Sequence, residues 1–265
     1  MVATPIGHLK DITLRALETL RSVDLILCED TRVTRTLLSR YDIQKPMQSY
    51  FAGNEDRRVG PVVERLQAGE SVALVTDAGT PGISDPGYLL VRACREAGVP
   101  VTPVPGPSAL AAALSVSGLP SQRVLFLGFP PRKAGERSRF LADLAADPST
   151  LVFYEAPHRI RAFLKEAMTA FSGRECVAGR ELTKRFEWVG TVLDPEQVPE
   201  RGEFVILFGP PPEKTAPALS AEEAPERVRA LVAEGMEEKE ALRQVARDMG
   251  VSRRDVYALV KGNRS

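Results

Sequence analysis

Cysteine and histidine are scarce in this 265-residue chain, which has three of the first and two of the second. Cys28, Cys94 and Cys176 stand far apart with no CxxC pair. That excludes a disulfide scaffold, a locally spaced iron–sulfur cradle and a zinc ribbon. His8 and His158 are too few for a histidine-rich site, so no metal is expected. Net charge is missing too: 35 basic residues balance 35 acidic ones, and any nucleic-acid contact has to come from local patches. The longest nearly apolar stretch, residues 108–119, is too short to cross a bilayer, and the N-terminus carries no signal-peptide pattern. A cytoplasmic protein without membrane contact is the expectation. What is present is globular composition, 43% apolar and 26% charged, in a chain long enough for two compact domains.

The first 118 residues alternate short apolar runs with helical patterns. Asp11 reads as the cap of a helix that carries Ile12, Ala16, Leu17 and Leu20 on one face. Residues 24–28, 72–75 and 99–104 read as strands, and helices are expected over 88–97 and 108–117, the second opened by Pro107. This alternation predicts a mainly parallel sheet covered by helices. In residues 119–212, strands are expected at 124–129, 150–155, 176–181, 186–193 and 203–208, with helices over 136–146 and 157–171. The last three strands follow one another without long helices, which favours a mixed sheet with antiparallel pairs. Residues 213–220 read as a linker, and helices over 224–234, 239–249 and 253–260, the last capped by Ser252, resemble a small helix-turn-helix module. Its charge is split, with three basic and seven acidic residues in 221–240 against six basic and two acidic in 243–264. A charge-split helical tail is more often a solvated face than a recognition helix, with nucleic-acid contact the alternative. The fold class is thus α/β, with two α/β domains (1–118 and 119–212) and a helical extension (213–265).

The richest stretch is TDAGTPGISDPG, residues 76–87, between a predicted strand and a predicted helix. A strand's carboxyl end is where α/β proteins place ligands. Glycines there let backbone approach a ligand closely, prolines stiffen the loop, and Asp77 offers an acceptor for a ribose or an ammonium group. The bland alternative is a long capped turn, with Asp85 as cap and Gly82 and Gly87 supplying positive φ. VPGPS (104–108) repeats the arrangement, with the Ser108 and Ala109 amides at a helix start, and VATPIG (2–7) is a third such loop. None is GxGxxG or GxxxxGK[ST], so neither a Rossmann dinucleotide site nor a P-loop is supported. Residues 123–139 hold five basic side chains and one acidic, a patch that suits a polyanion or is merely a solvated helix start. Glu155 and Glu181 end predicted strands and are catalysts or caps; His158 reads as a surface or capping group. In EDTR (29–32), Asp30 or Thr31 is placed to cap the next helix.

Seven blocks occur in order: VATPIG (2–7), ALETLRSVDLILCEDTR (16–32), TDAGTPGISDPG (76–87), VPGPSA (104–109), GFPPRK (128–133), FYEAPHR (153–159) and RELTK (180–184). Together they resemble a branch of the tetrapyrrole methylase superfamily whose members methylate a cytidine ribose 2′-oxygen in the decoding region of bacterial 16S rRNA. TDAGTP followed by SDPG, with EDTR upstream, separates this branch from the porphyrin-type members. The resemblance implies two α/β domains with S-adenosyl-L-methionine in the cleft between them, a homodimer, and 16S rRNA or the small ribosomal subunit as partner. By motif, Pro5, Asp77, Gly79, Thr80, Ser108 and Ala109 would hold the methionine and ribose parts of the donor, and Tyr154, Ala178 and Gly179 its adenine. Arg32, Arg132, Lys133 and Arg159 are assigned to RNA phosphates. Glu155, Glu181 or a neutral Lys184 is the expected general base. His8 departs from the pattern, standing where many relatives carry Asn. The chain begins almost at VATPIG, so a short first strand is expected. Two other readings remain. A tetrapyrrole C-methyltransferase is opposed by EDTR, GFPPRK and the helical tail. A nucleic-acid-binding regulator that only senses the donor is motivated by the basic last helix.

Overall fold

The computed structural model describes residues 1–212 and 219–262, so most of the expected linker lies outside the described residues. The chain divides into two compact units, the first ending at Pro211 and the second beginning at Pro212.

In the first unit, helix α1 (Leu14–Ser22) buries Ala16, Leu17 and Leu20, as the sequence pattern requires. Its cap is not Asp11. Thr13 takes that place, its hydroxyl accepting from the Ala16 amide at 3.1 Å, while Asp11 closes a separate single 3-10 turn, Leu9–Asp11. Strand β1 (Leu25–Cys28) is wholly buried, and Asp30 caps α2 (Thr31–Arg40). Next come β2 (Met47–Ser49), α3 (Glu55–Gln67), β3 (Val72–Leu74), α4 (Tyr88–Glu96) and α5 (Ala109–Ser117). Ser108 is the N-cap of α5, which leaves Pro107 outside the helix rather than opening it. The first sheet is parallel, in the order β2-β1-β3.

The strand expected over 99–104 does not form. Thr102 O accepts from the Met1 amino group at 3.1 Å and Val104 N–H donates to Met1 O at 2.8 Å, but only an isolated parallel bridge joins Val2 to Val104, and on the opposite side Pro103 has no N–H to give. Residues 2–4 run between β3 and Val104, with Val2 N–H donating to Leu74 O at 2.9 Å and Ala3 N–H to Val104 O at 3.2 Å. The expected short first strand is thus a set of bridges.

The second sheet holds β4 (Val124–Gly128), β5 (Thr150–Glu155), β6 (Cys176–Arg180), β7 (Trp188–Thr191) and β8 (Phe204–Phe208), in the order β4-β5-β8-β6-β7. β4 and β5 are parallel and the other pairs antiparallel, the mixed sheet anticipated above. β8, FVILF, is buried along its whole length in mid-sheet. Helices α6 (Ala134–Leu144) and α7 (Ile160–Ala170) help close one face, where Phe153, Phe163, Phe171 and Phe208 form an aromatic core, edge-on except for the stacked Phe153–Phe171 pair. Each such ring contributes roughly 1.5–3 kcal/mol by burial. Arg174 pins the end of this core: its guanidinium donates to the carbonyls of Ser149 and Gly209 at 3.1 Å, Ala145 at 3.0 Å, Leu144 at 3.3 Å and Asp147. The other face is covered by α5, whose ALAAALSVS sequence is apolar nearly all round: one side packs on Val152, Val177, Val205 and Leu207, while Ala111 and Val116 stay exposed.

The second unit is three helices, α8 (Ala224–Ala233), α9 (Glu238–Met249) and α10 (Arg253–Gly262), around Val228, Leu242, Val245 and Val256. Ser252 and Asp255 form a reciprocal cap, with Asp255 N–H donating to Ser252 Oγ at 3.3 Å and Ser252 N–H to Asp255 Oδ2 at 3.2 Å. Among the described residues, no helix is long and apolar enough to cross a membrane, and no three His, Cys, Asp or Glu side chains are grouped to hold a metal.

Candidate active site

A cleft of about 430 Å³ opens in the first unit, within the size range of small-molecule sites. One wall comes from the first sheet's carboxyl end and the start of α5: Glu29 after β1, the loop from Asp77 to Asp85 after β3, and Ser108 with Ala109. The facing wall comes from the second sheet. Antiparallel pairing sets Glu155 and Arg180 on either side of Phe204, so the ends of β5 and β6 meet the start of β8. Tyr154, Glu155, Leu182, Lys184 and Glu203 line the cleft from there, with Phe129 from the end of β4.

The first wall is knitted by its own loops. Thr4 and Gly79 exchange backbone hydrogen bonds at 2.8 and 3.0 Å, and Thr80 Oγ1 donates to Pro107 O at 3.1 Å. Gly79 has φ +92°, which an L side chain rarely adopts. One oxygen of Asp77, Oδ1, accepts from the Asp30 amide at 3.0 Å. Burial raises the Asp77 and Glu29 carboxyls above their ordinary values. Asp85 is pushed up to about 6, by burial first and then by the negative charges of Glu29 and Asp77. Three carboxylates thus share this wall. Among the described residues lining the cleft, Lys184 is the one lysine or arginine, and it is engaged elsewhere.

Ser108 caps α5 by position, yet its hydroxyl makes no capping bond. Tyr154 supplies one instead, its Oη accepting from the Leu110 amide at 3.1 Å across the cleft. Phe126 and Phe129 meet the Tyr154 ring edge-on, at 5.0 and 5.7 Å between centroids.

On the second wall the charges hold one another. Lys184 Nζ donates to Glu181 Oε1 at 3.1 Å and to Glu203 Oε2 at 2.9 Å, and Glu181 Oε1 also accepts from the Glu203 amide at 3.0 Å. Burial lowers the Lys184 pKa, but the two carboxylates outweigh it and the net shift is upward. The charged ammonium form of Lys184 is therefore the favoured one. For Glu181, burial pushes upward, but the Glu203 amide and Lys184 reverse it, and the carboxylate stays anionic outside the cleft lining. The Glu155 carboxylate has no solvent exposure; Oε1 accepts from Ala156 N–H at 2.7 Å and Oε2 lies 3.0 Å from the Arg159 guanidinium. Burial raises its pKa.

Arg159 itself is turned inward, its side chain 16% exposed, donating to Pro130 O at 2.9 Å and Pro131 O at 3.3 Å. It ties the loop after β4 to β5 and presents little to a phosphate. Arg32 and Lys133 are open, 86% and 81% exposed, with Asp30 and Glu136 as surface partners, and Arg132 is exposed beside Lys133.

Of the residues expected at the donor, Asp77, Gly79, Thr80, Ser108, Ala109 and Tyr154 line the cleft together. Pro5, Ala178 and Gly179 do not. Pro5 lines a smaller hollow of about 230 Å³ that also reaches Asp77. Ala178 is buried in the aromatic core, and Leu182 folds over Gly179, whose added Cβ would lie 3.2 Å from it. At the departure from the family pattern, His8 uses its backbone: its amide donates to Thr183 Oγ1 at 3.0 Å. Gly7 permits that approach, since a Cβ there would stand 2.5 Å from Lys184 Cγ. Glu29, Asp85, Phe129 and Glu203 are lining residues that the sequence did not single out for the site. Asp85 carried a signal, sharing the Gly/Pro loop of Asp77; Glu203 carried none.

Residues 1–195 match the family described as Tetrapyrrole (Corrin/Porphyrin) Methylases. The chain is 47% identical over 269 residues to the ribosomal RNA small subunit methyltransferase I of Xylella fastidiosa, covering 97% of this chain and 96% of that protein. It is 44% identical over 268 residues to the protein of the same name from Synechocystis, covering 98% and 95%. Among solved structures, a uroporphyrin-III C-methyltransferase from Thermus thermophilus, complexed with S-adenosyl homocysteine, superposes with a TM-score of 0.54 at 21% identity, over 78% of this chain and 95% of that one. At that identity the likeness bears on the fold alone.

Proposed function

The chain belongs to the tetrapyrrole methylase family and, within it, to the ribosomal RNA small subunit methyltransferase I group, and from that membership we propose that it is an S-adenosylmethionine-dependent methyltransferase of small-subunit rRNA. The observation that carries the reading to the site is the acidic wall of Glu29, Asp77 and Asp85, which faces Phe129 and Tyr154 across a cleft at strand carboxyl ends. Half-buried carboxylates with no cation of their own suit a ligand that brings positive charge. Aromatic rings opposite suit a purine. S-adenosylmethionine has both features, and the residues fit it.

When bound, the donor supplies a methyl group on a sulfonium, which leaves as a neutral thioether. The rest falls to the chain. Asp77, with one oxygen fixed by the Asp30 amide, keeps the other for a donor hydroxyl or ammonium group. Gly79 and Thr80 present backbone, and Ser108 offers a hydroxyl that its helix does not use. Phe129 and Tyr154 form the apolar side. The acceptor is proposed to be the ribose 2′-hydroxyl of a cytidine, held for in-line transfer. Glu155, Glu181 and Lys184 all have partners already, so their role is to hold the acceptor wall in shape. Acceleration then comes mainly from alignment of hydroxyl and methyl, and the hydroxyl proton passes to solvent. Exposed Arg32, Arg132 and Lys133 are assigned to RNA phosphates. Action as a cytoplasmic homodimer on the assembled small subunit completes the proposal.

The test uses methyl-labelled donor with three acceptors: small subunits from cells lacking the modification, protein-free 16S rRNA, and a tetrapyrrole precursor. Label on one cytidine ribose of the subunit is the expected result. Label on the tetrapyrrole, or none despite donor binding, overturns it. Single-turnover rates of E155Q, E181Q and K184M separate the steps: rates near wild type support alignment, and a 100-fold loss in one variant makes that residue the base.

A further inference from the structure

We propose that the outer edge of the second sheet, around Trp188, is a stacking platform for an unpaired base of the RNA next to the methylated nucleotide. The inference rests on the rRNA reading above and concerns a surface outside the donor cleft.

β7 is an edge strand, and Trp188 opens it. Its indole lies flat along the strand, over Gly190: a Cβ on that glycine would stand 2.8 Å from the ring. The residue is 40% exposed. Phe186, two residues earlier, is 65% exposed, and the Arg185 guanidinium lies 5.6 Å from its ring centroid. These groups, with Arg180 and Leu193, line an open hollow of about 610 Å³. Large aromatic rings left uncovered on a sheet, flanked by arginines, are the means by which proteins hold splayed-out bases: the ring takes the base and the guanidinium its phosphate or its other face.

Continuity with the cleft favours the RNA over a second copy of this chain, since the charges lining the hollow balance, Arg180 and Arg185 against Glu187 and Asp194. The two carboxylates are fixed in direction by backbone, Glu187 Oε2 accepting from the Thr183 amide at 2.5 Å and Asp194 Oδ1 from the Glu196 amide at 2.9 Å. Arg180 donates to Arg201 O at 2.7 Å, which brings a further exposed arginine to the rim. The hollow also continues the cleft. Lys184 lines the cleft and Arg185 and Phe186 line the hollow, so the platform begins about 7 Å of chain from the acceptor wall. A nucleotide beside the one in the cleft reaches it.

Trp188 is the chain's single tryptophan, so its fluorescence reports this surface alone. The full-length protein is titrated with protein-free 16S rRNA, and separately with inorganic polyphosphate as a polyanion without bases. Quenching by the RNA and not by polyphosphate is expected. W188A should lower RNA affinity about 5- to 150-fold, as loss of one stacked base does, and leave donor affinity unchanged; W188F should recover most of it. RNA binding shown by filter retention, with Trp188 emission unaltered and W188A binding as wild type does, overturns the proposal and leaves the rRNA reading intact. W188A that converts a sedimenting dimer to monomer assigns the face to a second copy and also overturns it. Wild-type protein that binds neither protein-free 16S rRNA nor the small subunit overturns both readings together.

Discussion

Asp77 and Lys184 face one cleft from opposite walls, and the two walls are held by different means. Around Asp77 each fixing contact has backbone on at least one side: the Asp30 amide, the Thr4–Gly79 exchange, and the Thr80 hydroxyl on Pro107 O. The side chains themselves are left over, and burial raises all three carboxyls on that wall. Around Lys184 the side chains fix one another, with Glu181 and Glu203 closing on the ammonium group. A wall whose charges are uncompensated is built to receive an opposite charge, whereas a wall whose charges already match is built to keep its shape. Both have charged residues in a cleft, and only the state of compensation tells them apart.

The largest effect is expected at Asp77. D77N retains a carbonyl oxygen for the Asp30 amide but loses the charge, so the loop should keep its form while donor affinity falls about 10- to 150-fold, as for loss of a charge-assisted hydrogen bond. K184M should leave donor affinity within about twofold, because the ammonium is committed to Glu181 and Glu203. Calorimetric titration of the donor into both variants checks the pair. Equal losses would break the contrast between the walls.

Next in size is a pH effect. Asp85 titrates at about 6 in the free protein, well above its ordinary 3.8, with Glu29 and Asp77 as the neighbouring charges. A cationic donor favours the ionised form, so donor affinity should fall as pH drops from 7.5 to 5.5, by at most about tenfold for each pH unit below 6. Folding responds in the opposite sense. A folded-state pKa above the unfolded one stabilises the protein fully below the unfolded value, and that contribution is lost as pH rises through 6. D85N should therefore flatten the pH dependence of donor binding, and its melting temperature should gain on wild type above pH 6. An unflattened binding profile would move the linkage from Asp85 to its neighbours.

The same division explains what can be read from the sequence. The first wall is legible because one loop, residues 76–87, carries most of it, and a ligand loop announces itself by glycine, proline and a strand before it. The buried strands LILC and FVILF and the helix Tyr88–Glu96 are legible for the same local reason. Local signals fail where geometry overrides them. Residues 99–104 look like a strand by apolar pattern but meet the neighbouring segment only at Thr102 and Val104. Residues 33–71 carry little local signal because β2 is three residues long and α3 has Gly60 and Pro61 in its interior. On the second wall, Glu203 reaches the cleft only because β8 returns antiparallel beside β5 and β6, a pairing of positions about fifty and twenty residues apart in sequence. Ala178 and Gly179 miss the cleft because Leu182 doubles back over their strand end, and Arg159 turns inward because its direction depends on carbonyls of the preceding loop.

The smallest effect sharpens the contrast on the basic patch. Arg132 and Lys133 are exposed, while Arg159 nearby is bound to Glu155 and to the carbonyls of Pro130 and Pro131. All three belong to the basic blocks of the sequence, and charge counting treats them alike. Exposure does not. A phosphate displaces water from an open cation and releases a counterion, so each such contact adds about 0.7 to the salt slope of single-stranded RNA binding. R132A and K133A should each lower that slope by about this amount and weaken binding a few-fold, with donor affinity unchanged. R159Q should leave the slope as it is and lower thermal stability instead, since the Glu155 carboxylate loses its counter-charge where water does not reach. Filter binding across a series of potassium concentrations separates the two outcomes. A slope that falls for R159Q as it does for R132A would place the inward arginine on the RNA, and would mean that the loop from Pro130 to Lys133 opens when RNA binds.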